Sequence, residues 1–227
     1  MIYVWISLII IIWALIAYTK STHFKGWILE WKIDQILNQL ANKYGGMAFK
    51  DLLIPFNGET SQIDNVLITD KAVYVVEAKN YRGYIYGSAS DDQWTLTQKN
   101  VKTYKNRRGK KYKKTFINKH SFYNPIKQND HHVKALNTLL KNPDTAIINI
   151  VTFGKKARLK KIKKETHKPV IRVHQLKSVI NQYEEKLQKK MALNALMEMV
   201  DSIVYYNIVS KKERKTHINT IKKRYKT

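Results

Sequence analysis

The sequence predicts an α/β domain, an α+β mixed sheet with helices packed on it, and three observations predict it. Apolar residues recur at i, i+3, i+4 spacing through residues 26–44, the signature of an amphipathic helix. Three runs rich in apolar and β-branched residues follow at 47–56, 60–69 and 72–79, the last two separated only by Asp70-Lys71. A capped helical stretch at 124–141 then leads into another apolar run at 146–153. The resulting order is helix, three strands, helix, strand.

Each element has a local cause. In the first helix Trp27, Ile28, Trp31, Ile33, Ile36, Leu37, Leu40 and Tyr44 form the apolar stripe, and Gly45-Gly46 stops it. Pro55 and Asn57-Gly58 close the first strand. Asp70-Lys71 is a two-residue hairpin loop between the next two. Residues 84–87 and 94–97 read as short strands, with the basic stretch 99–119 after them as a loop. Asn124 caps the second helix and Pro125 fills its first turn. Residues 170–173 form a short strand and 175–207 are helical in one or two pieces. The division expected is an anchor at 1–20, a domain at 26–153 with its basic loop, and a basic linker, helical extension and basic tail at 154–227.

Composition bounds the function. No cysteine is present among 227 residues, which excludes a disulfide scaffold, a thiolate nucleophile and a thiol-ligated metal. Lys and Arg number 42 against 17 Asp and Glu, a net charge of +25. The excess is concentrated in 99–119, 155–164 and 211–226, which hold 25 of the basic residues and one acid. The remainder is nearly neutral. Each run alone reads as a solvated loop or tail. Three together, with Tyr104, Tyr112, Phe116, Phe122 and Tyr123 in or beside the first, favour a polyanion. The nucleic-acid contacts expected are Lys105, Arg107, Arg108, Lys110, Lys111, Lys113, Lys114, Lys155, Lys156 and Arg158.

Residues 2–18 carry no charge. As a helix they would span roughly 25 Å, slightly short of a bilayer core of about 30 Å. Tyr3 and Tyr18 stand where interfacial anchors would, and no basic residue precedes the run, unlike a cleaved leader. Lys20, Lys25 and the basic remainder then place the N-terminus outside and the domain in the cytoplasm, as a single-pass protein of the cell membrane.

The central hairpin carries the chemistry. With Asp70-Lys71 as its loop, Thr69 opposes Ala72 and Asp64 falls directly opposite Glu77. Side chains alternate along a strand, so Glu77 and Lys79 share one face, and Asp64 lies on it too. Two carboxylates roughly 5 Å apart at their Cβ atoms repel unless a cation lies between them. Mg²⁺, or Mn²⁺, suits that gap, with Lys79 beside it to orient water or stabilise a phosphorane. The competing reading is a Glu77–Lys79 pair where the strand emerges into solvent.

These residues resemble a known family. Gly26 and Glu30 on the first helix, Gln62-Ile63-Asp64, Val76-Glu77-Ala78-Lys79-Asn80, Gly83-Tyr84-Ile85-Tyr86-Gly87 before Trp94, and Asn124-Pro125-Ile126-Lys127-Gln128 with His132 and Leu136 are together similar to the NERD (nuclease-related) domain. That family is placed in the PD-(D/E)xK, restriction-endonuclease-like superfamily, with an αβββαβ core. The resemblance implies metal-dependent hydrolysis of phosphodiesters in DNA or RNA. It implies Asp64, Glu77 and the Ala78 carbonyl as metal ligands, Lys79 as the catalytic lysine, Glu30 as a helix carboxylate near the metal and Gln128 as a side chain lining the site. Gln62, Asn65 and Ala72 depart from common family residues without removing a presumed ligand.

Smaller features weigh less. Adjacent His131 and His132 point about 100° apart on a helix and do not ligate jointly; His132, one turn after Gln128, is a candidate to line the site. Arg82 can contact phosphate, and Glu184-Glu185 read as a solvated helix face. The function expected is a membrane-anchored Mg²⁺-dependent nuclease with DNA as its main partner. A catalytically silent nucleic-acid-binding module and an anionic-lipid-binding protein are the alternatives.

Overall fold

The structure is a computed structural model that describes residues 13, 22–140, 145–160, 162, 168–207 and 214. Helix α1 (Thr22–Tyr44) is followed by strands β1 (Met47–Phe56), β2 (Glu59–Ile68) and β3 (Ala72–Lys79). Then come β4 (Gly83–Tyr86), β5 (Gln93–Lys105), β6 (Lys111–Tyr123), helix α2 (Pro125–Leu140) and β7 (Ala146–Phe153). Two short strands, β8 (Ala157–Leu159) and β9 (Val170–Arg172), precede helices α3 (Leu176–Lys186) and α4 (Leu193–Tyr206). The predicted order therefore holds, and the last helical stretch is in two pieces. Apart from Trp13, the anchor expected at 2–18 lies outside the described residues. Among the described residues no helix is long and apolar enough to cross a membrane.

The main sheet has the order β1-β2-β3-β7-β9. β1, β2 and β3 run antiparallel, while β3, β7 and β9 run parallel. Strand β3 alternates its sides. Tyr74 and Val76 pack with Leu29, Ile33, Leu37 and Leu40 of α1 and with Leu176 and Ile180 of α3. Val73 and Val75 pack with Ala135 and Leu136 of α2 and with Met199 and Ile203 of α4. The domain is thus three layers, with β3 buried on both sides in the centre. A fully buried Leu or Ile contributes about 1.5–3 kcal/mol, so these two clusters dominate stability.

Two junctions set the geometry. At the end of α1, Gly45 takes φ +62° and the Gly46 N–H donates to the Ala41 carbonyl at 2.8 Å. A methyl group on Gly46 would collide with the backbone carbonyl of Ile68, whereas one on Gly45 meets only open space. Gly46→Ala is therefore expected to cost at least about 2 kcal/mol by forcing backbone movement. Gly45→Ala, strained only in φ, should cost about 1 kcal/mol. Equilibrium urea unfolding distinguishes them, and equal losses would contradict the packing argument. At the start of α2, the Asn124 Oδ1 accepts from the Ile126 N–H at 2.9 Å, the expected cap, while its Nδ2 donates to the Ser88, Ala89 and Asp91 carbonyls.

The second sheet, β6-β5-β4-β8, corrects the sequence reading. The stretch 99–119 is not a loop. It forms the outer part of a hairpin in which β5 and β6 pair from Gln93↔Tyr123 to Lys105↔Lys111. The base of this sheet packs through Trp94, Leu96 and Ile85 onto Phe153, Val151 and Ile126. Gly87 lies so close beneath the Trp94 ring that any side chain there would strike it. That contact accounts for Gly87, while a side chain on Gly83 would strike the Thr97 carbonyl instead.

The Glu184-Glu185 reading is also corrected at its first residue. Glu184 is buried, and its Oε1 accepts from Thr69 Oγ1 and Tyr74 Oη, both at 2.7 Å. It fastens α3 to the β2–β3 turn, which is why a helix that looked solvated carries a buried acid.

Candidate active site

Strands β2 and β3 form the site by parting. Their ladder runs from Ile68↔Val73 to Asn65↔Val76 and goes no further. Beyond it β2 stays with β1, and β3 stays with β7 through Lys79↔Phe153. The expected register is met, since the next positions along the ladder are Asp64 and Glu77. In the fork the Asp64 carboxylate takes the place of backbone pairing, with its Oδ2 accepting from the Ala78 N–H at 3.0 Å. The β1–β2 register also brings Asp51 opposite Asp64, and Asp51 adopts φ +51° there. Asp51 itself is exposed and bonded to Gln62 and Arg214, though its charge still reaches Asp64.

Lys79 and α2 complete the cluster. The Lys79 Nζ lies 2.6 Å from Glu77 Oε1 and donates to Gln128 Oε1 at 2.9 Å. His132 Nε2 stands 3.6 Å from Glu77 Oε2, and its Nδ1 is 2.8 Å from Ser61 Oγ. Glu30 reaches the same region from α1: it lines a cleft of about 410 Å³ with Trp27, Trp31, Asp51, Asp64 and Asn65. The structure thus gathers Asp64, Glu77, Ala78, Lys79 and Gln128, with His132 behind Glu77 and Glu30 on the rim. His131 turns away and packs edge-on against Phe56. Sequence reasoning missed Ser61 and Asp51, which no local pattern marks.

The electrostatics are those of crowded acids. Burial, then the Asp64 charge, pushes the Glu77 carboxyl up to about 7 despite the opposing pull of Lys79. Asp64 is raised by burial, against the Ala78 N–H and the Lys79 charge. Glu30 is raised by burial and by Asp64 and Asp51. Burial pulls Lys79 down, but Glu77 and Asp64 outweigh it and hold the ammonium above the ordinary lysine range. Glu77 Oε2 is buried without a hydrogen-bond partner. Such a group is costly unless a cation or water satisfies it. Among the described residues no group of three or more His, Asp or Glu is gathered at metal-binding distance. The donor set is two carboxylates, a set that suits Mg²⁺, which commonly binds one or two carboxylates and retains waters.

A basic groove begins three residues beyond Lys79. It has a volume of about 860 Å³, and Arg82, Lys99, Lys155, Lys156, Arg158 and Arg172 line it with no acid among them. β4 and β8 hold it open in parallel, and Arg158 donates to Tyr84 Oη at 2.9 Å while lying over that ring. The basic residues expected to bind nucleic acid therefore divide. Lys155, Lys156 and Arg158 belong to this groove, and Lys105, Arg107, Arg108, Lys110, Lys111, Lys113 and Lys114 to the outer hairpin. Lys99 and Arg172 join the groove from strands that the sequence did not connect to it.

Residues 25–154 match the family described as NERD, nuclease-related domain. The chain belongs to that family. The NERD match spans α1 through β7, so it contains the fork, Lys79 and Gln128 together. An uncharacterized protein of Bacillus anthracis is 29% identical over 171 residues, covering 74% of this chain and 70% of that protein. No solved structure matches the chain.

Proposed function

We propose that the protein is a metal-dependent nuclease that hydrolyses phosphodiester bonds in the fork between β2 and β3. The observation that carries the reading is the buried Glu77 and the half-buried Asp64 at the mouth of the fork, with the Lys79 ammonium against Glu77, in a chain of the nuclease-related family. Asp64 and Glu77, with the Ala78 carbonyl, would hold a divalent cation, and Glu30 lines the same cleft as Asp64. When bound, that cation supplies Lewis-acid polarisation of the phosphate and acidifies a water. Lys79 places its positive charge where negative charge develops on the phosphoryl oxygens. Gln128 fixes the Lys79 Nζ, and His132 limits the movement of Glu77. The Arg82–Arg158 groove binds the backbone through phosphates, without reading bases, so affinity falls steeply with salt. The uncharged run at 2–18, followed by Lys20 and Lys25, supports attachment to the membrane with the domain on the cytoplasmic side.

The test is an assay of the full chain on DNA and RNA with Mg²⁺, Mn²⁺ or chelator, beside Asp64→Asn. Cleavage that needs the metal and falls at least about 100-fold in the variant is the expected result. Metal-independent cleavage, or equal rates with and without Asp64, would reject it. Binding that persists without any cleavage would leave the silent-module alternative.

A further inference from the structure

The outer part of the β5–β6 hairpin stands apart from the three layers. Strand β4 pairs with β5 only as far as Thr97, so the rungs from Lys99↔Ile117 to Lys105↔Lys111 have no third strand. Seven rungs at about 3.3 Å each project roughly 20 Å from the body. Nearly every side chain along them is exposed on both faces.

A free two-stranded ribbon is marginal in water, so something must hold it. Tyr104 stacks on Tyr112 with centroids 5.7 Å apart, and Phe116 lies 6.4 Å from Tyr104. Lys102 and Lys114 sit over the Phe116 ring at 5.7 and 5.5 Å. These rings are largely occupied with one another and with lysines, so they stiffen the ribbon rather than offering an open platform for unpaired bases. The other face presents Lys99, Lys105, Lys111 and Lys113, and Arg107, Arg108 and Lys110 form the tip, turned by Asn106 Oδ1 and Gly109. No acid occurs from 99 to 119.

We propose that this hairpin is an arm that lies in the major groove of double-stranded DNA, which makes duplex DNA the substrate class of the site proposed above. Charge complementarity is the argument. A surface that holds one strand needs cations on one face, whereas this ribbon carries them on both faces and at its tip. That distribution complements a groove walled by phosphates on both sides. The major groove of B-DNA, about 12 Å wide, admits a two-stranded ribbon. The deep, narrow major groove of A-form RNA does not. At its root Gln98, Lys99 and Asn100 also line the basic groove, so a duplex gripped by the arm is led along one continuous cationic path toward Lys79. Val101 and Ile117, exposed at 52% and 65%, can meet thymine methyl groups or sugars.

The inference rests on the nuclease reading only for the word substrate, and the experiment reads binding without turnover. The full chain in detergent, with chelator, is titrated by fluorescence anisotropy against a 20-base-pair duplex DNA, one of its strands, and the same duplex as RNA. Two variants are compared. In one, residues 99–117 are replaced by Asn-Gly to join Gln98 to Asn118. In the other, Arg107, Arg108, Lys111 and Lys113 are each changed to Ser. Wild type is expected to bind duplex DNA at least about tenfold more tightly than either competitor. The fourfold substitution should reduce the slope of log affinity against log salt by about 3 to 4, at about 0.9 per phosphate contact. Both variants should lose the duplex preference, and Lys79→Ala should keep it. Equal binding of single strand or duplex RNA overturns the inference. So does a preference that survives in the variants, or variants that lose binding to phosphatidylserine vesicles and not to DNA. Should the shortened arm fail to fold, the fourfold variant, confined to exposed residues, decides. A duplex preference without cleavage in Mg²⁺ would sink the nuclease reading and leave the arm standing.

Discussion

Lys79→Met is expected to lower cleavage by about 10²–10³-fold, the usual cost of removing one donor aimed at developing charge, while the protein still folds. The side chain makes two contacts, 2.6 Å to Glu77 Oε1 and 2.9 Å to Gln128 Oε1. Losing it removes the positive charge and leaves Glu77 buried between His132 and the like charge of Asp64. Removing one partner of a buried pair ordinarily costs about 3–5 kcal/mol. Here the cost is limited, because burial and Asp64 already raise Glu77 to about 7 and the carboxyl can take up a proton instead. Lys79→Met should therefore lose little stability at pH 5 and more at pH 8, as read by thermal unfolding at both. Gln128→Ala separates positioning from charge. Gln128 touches only the Lys79 Nζ among the polar groups described above, so its loss should reduce kcat with KM little changed, and by far less than Lys79→Met. A Lys79→Met enzyme with wild-type turnover, in a folded chain, would remove Lys79 from the mechanism.

How much of this was legible in the sequence depended on whether a residue answers to a local rule. That β2 and β3 part at Asp64 and Glu77 was not legible, but the placing of these residues at the next position of the β2–β3 register was, because a two-residue loop at Asp70-Lys71 fixes register. The Asn124 cap was legible for the same reason. The arm was not. Its strands mix lysines with threonine, valine and aromatics at no period of two, because neither face is buried, so the alternation of polar and apolar residues that reveals a strand is missing. Glu184 was misread because its partners, Thr69 and Tyr74, lie far away in sequence. The buried Asn129 carries no local mark either. It crosses to the sheet, donating to the Val75 carbonyl and to Asn149 Oδ1 at 2.9 and 2.7 Å, and this holds Gln128 and His132 over the fork. Arg172 entered the basic groove only through the pairing of β9 with β7. These are tertiary facts, with no short-range pattern to announce them.

The same carboxyl predicts how stability depends on pH. Glu77 titrates near its ordinary value of 4.5 in the unfolded chain and is pushed up to about 7 in the fold. The folded state therefore holds the proton more tightly, and this contribution is fully present below about pH 4.5. It is lost as pH rises from there through about 7, a change on the order of 3 kcal/mol. Asp64 and Glu30 are shifted in the same direction and add to the trend. In chelator, the unfolding midpoint of wild type relative to Glu77→Gln should fall between pH 5 and pH 8, because glutamine keeps the shape and carries no charge at either pH. The repulsion exposed at pH 8 is what a divalent cation between Asp64 and Glu77 would relieve. Added Mg²⁺ should then raise the midpoint of wild type at pH 8, raise it less at pH 5 where Glu77 holds its proton, and leave Glu77→Gln nearly unmoved. A wild-type midpoint indifferent to Mg²⁺ at pH 8 would mean that the ammonium of Lys79 is the only cation this fork accommodates. The structure would then have to be read as a fold that binds nucleic acid through its groove and arm without cleaving it.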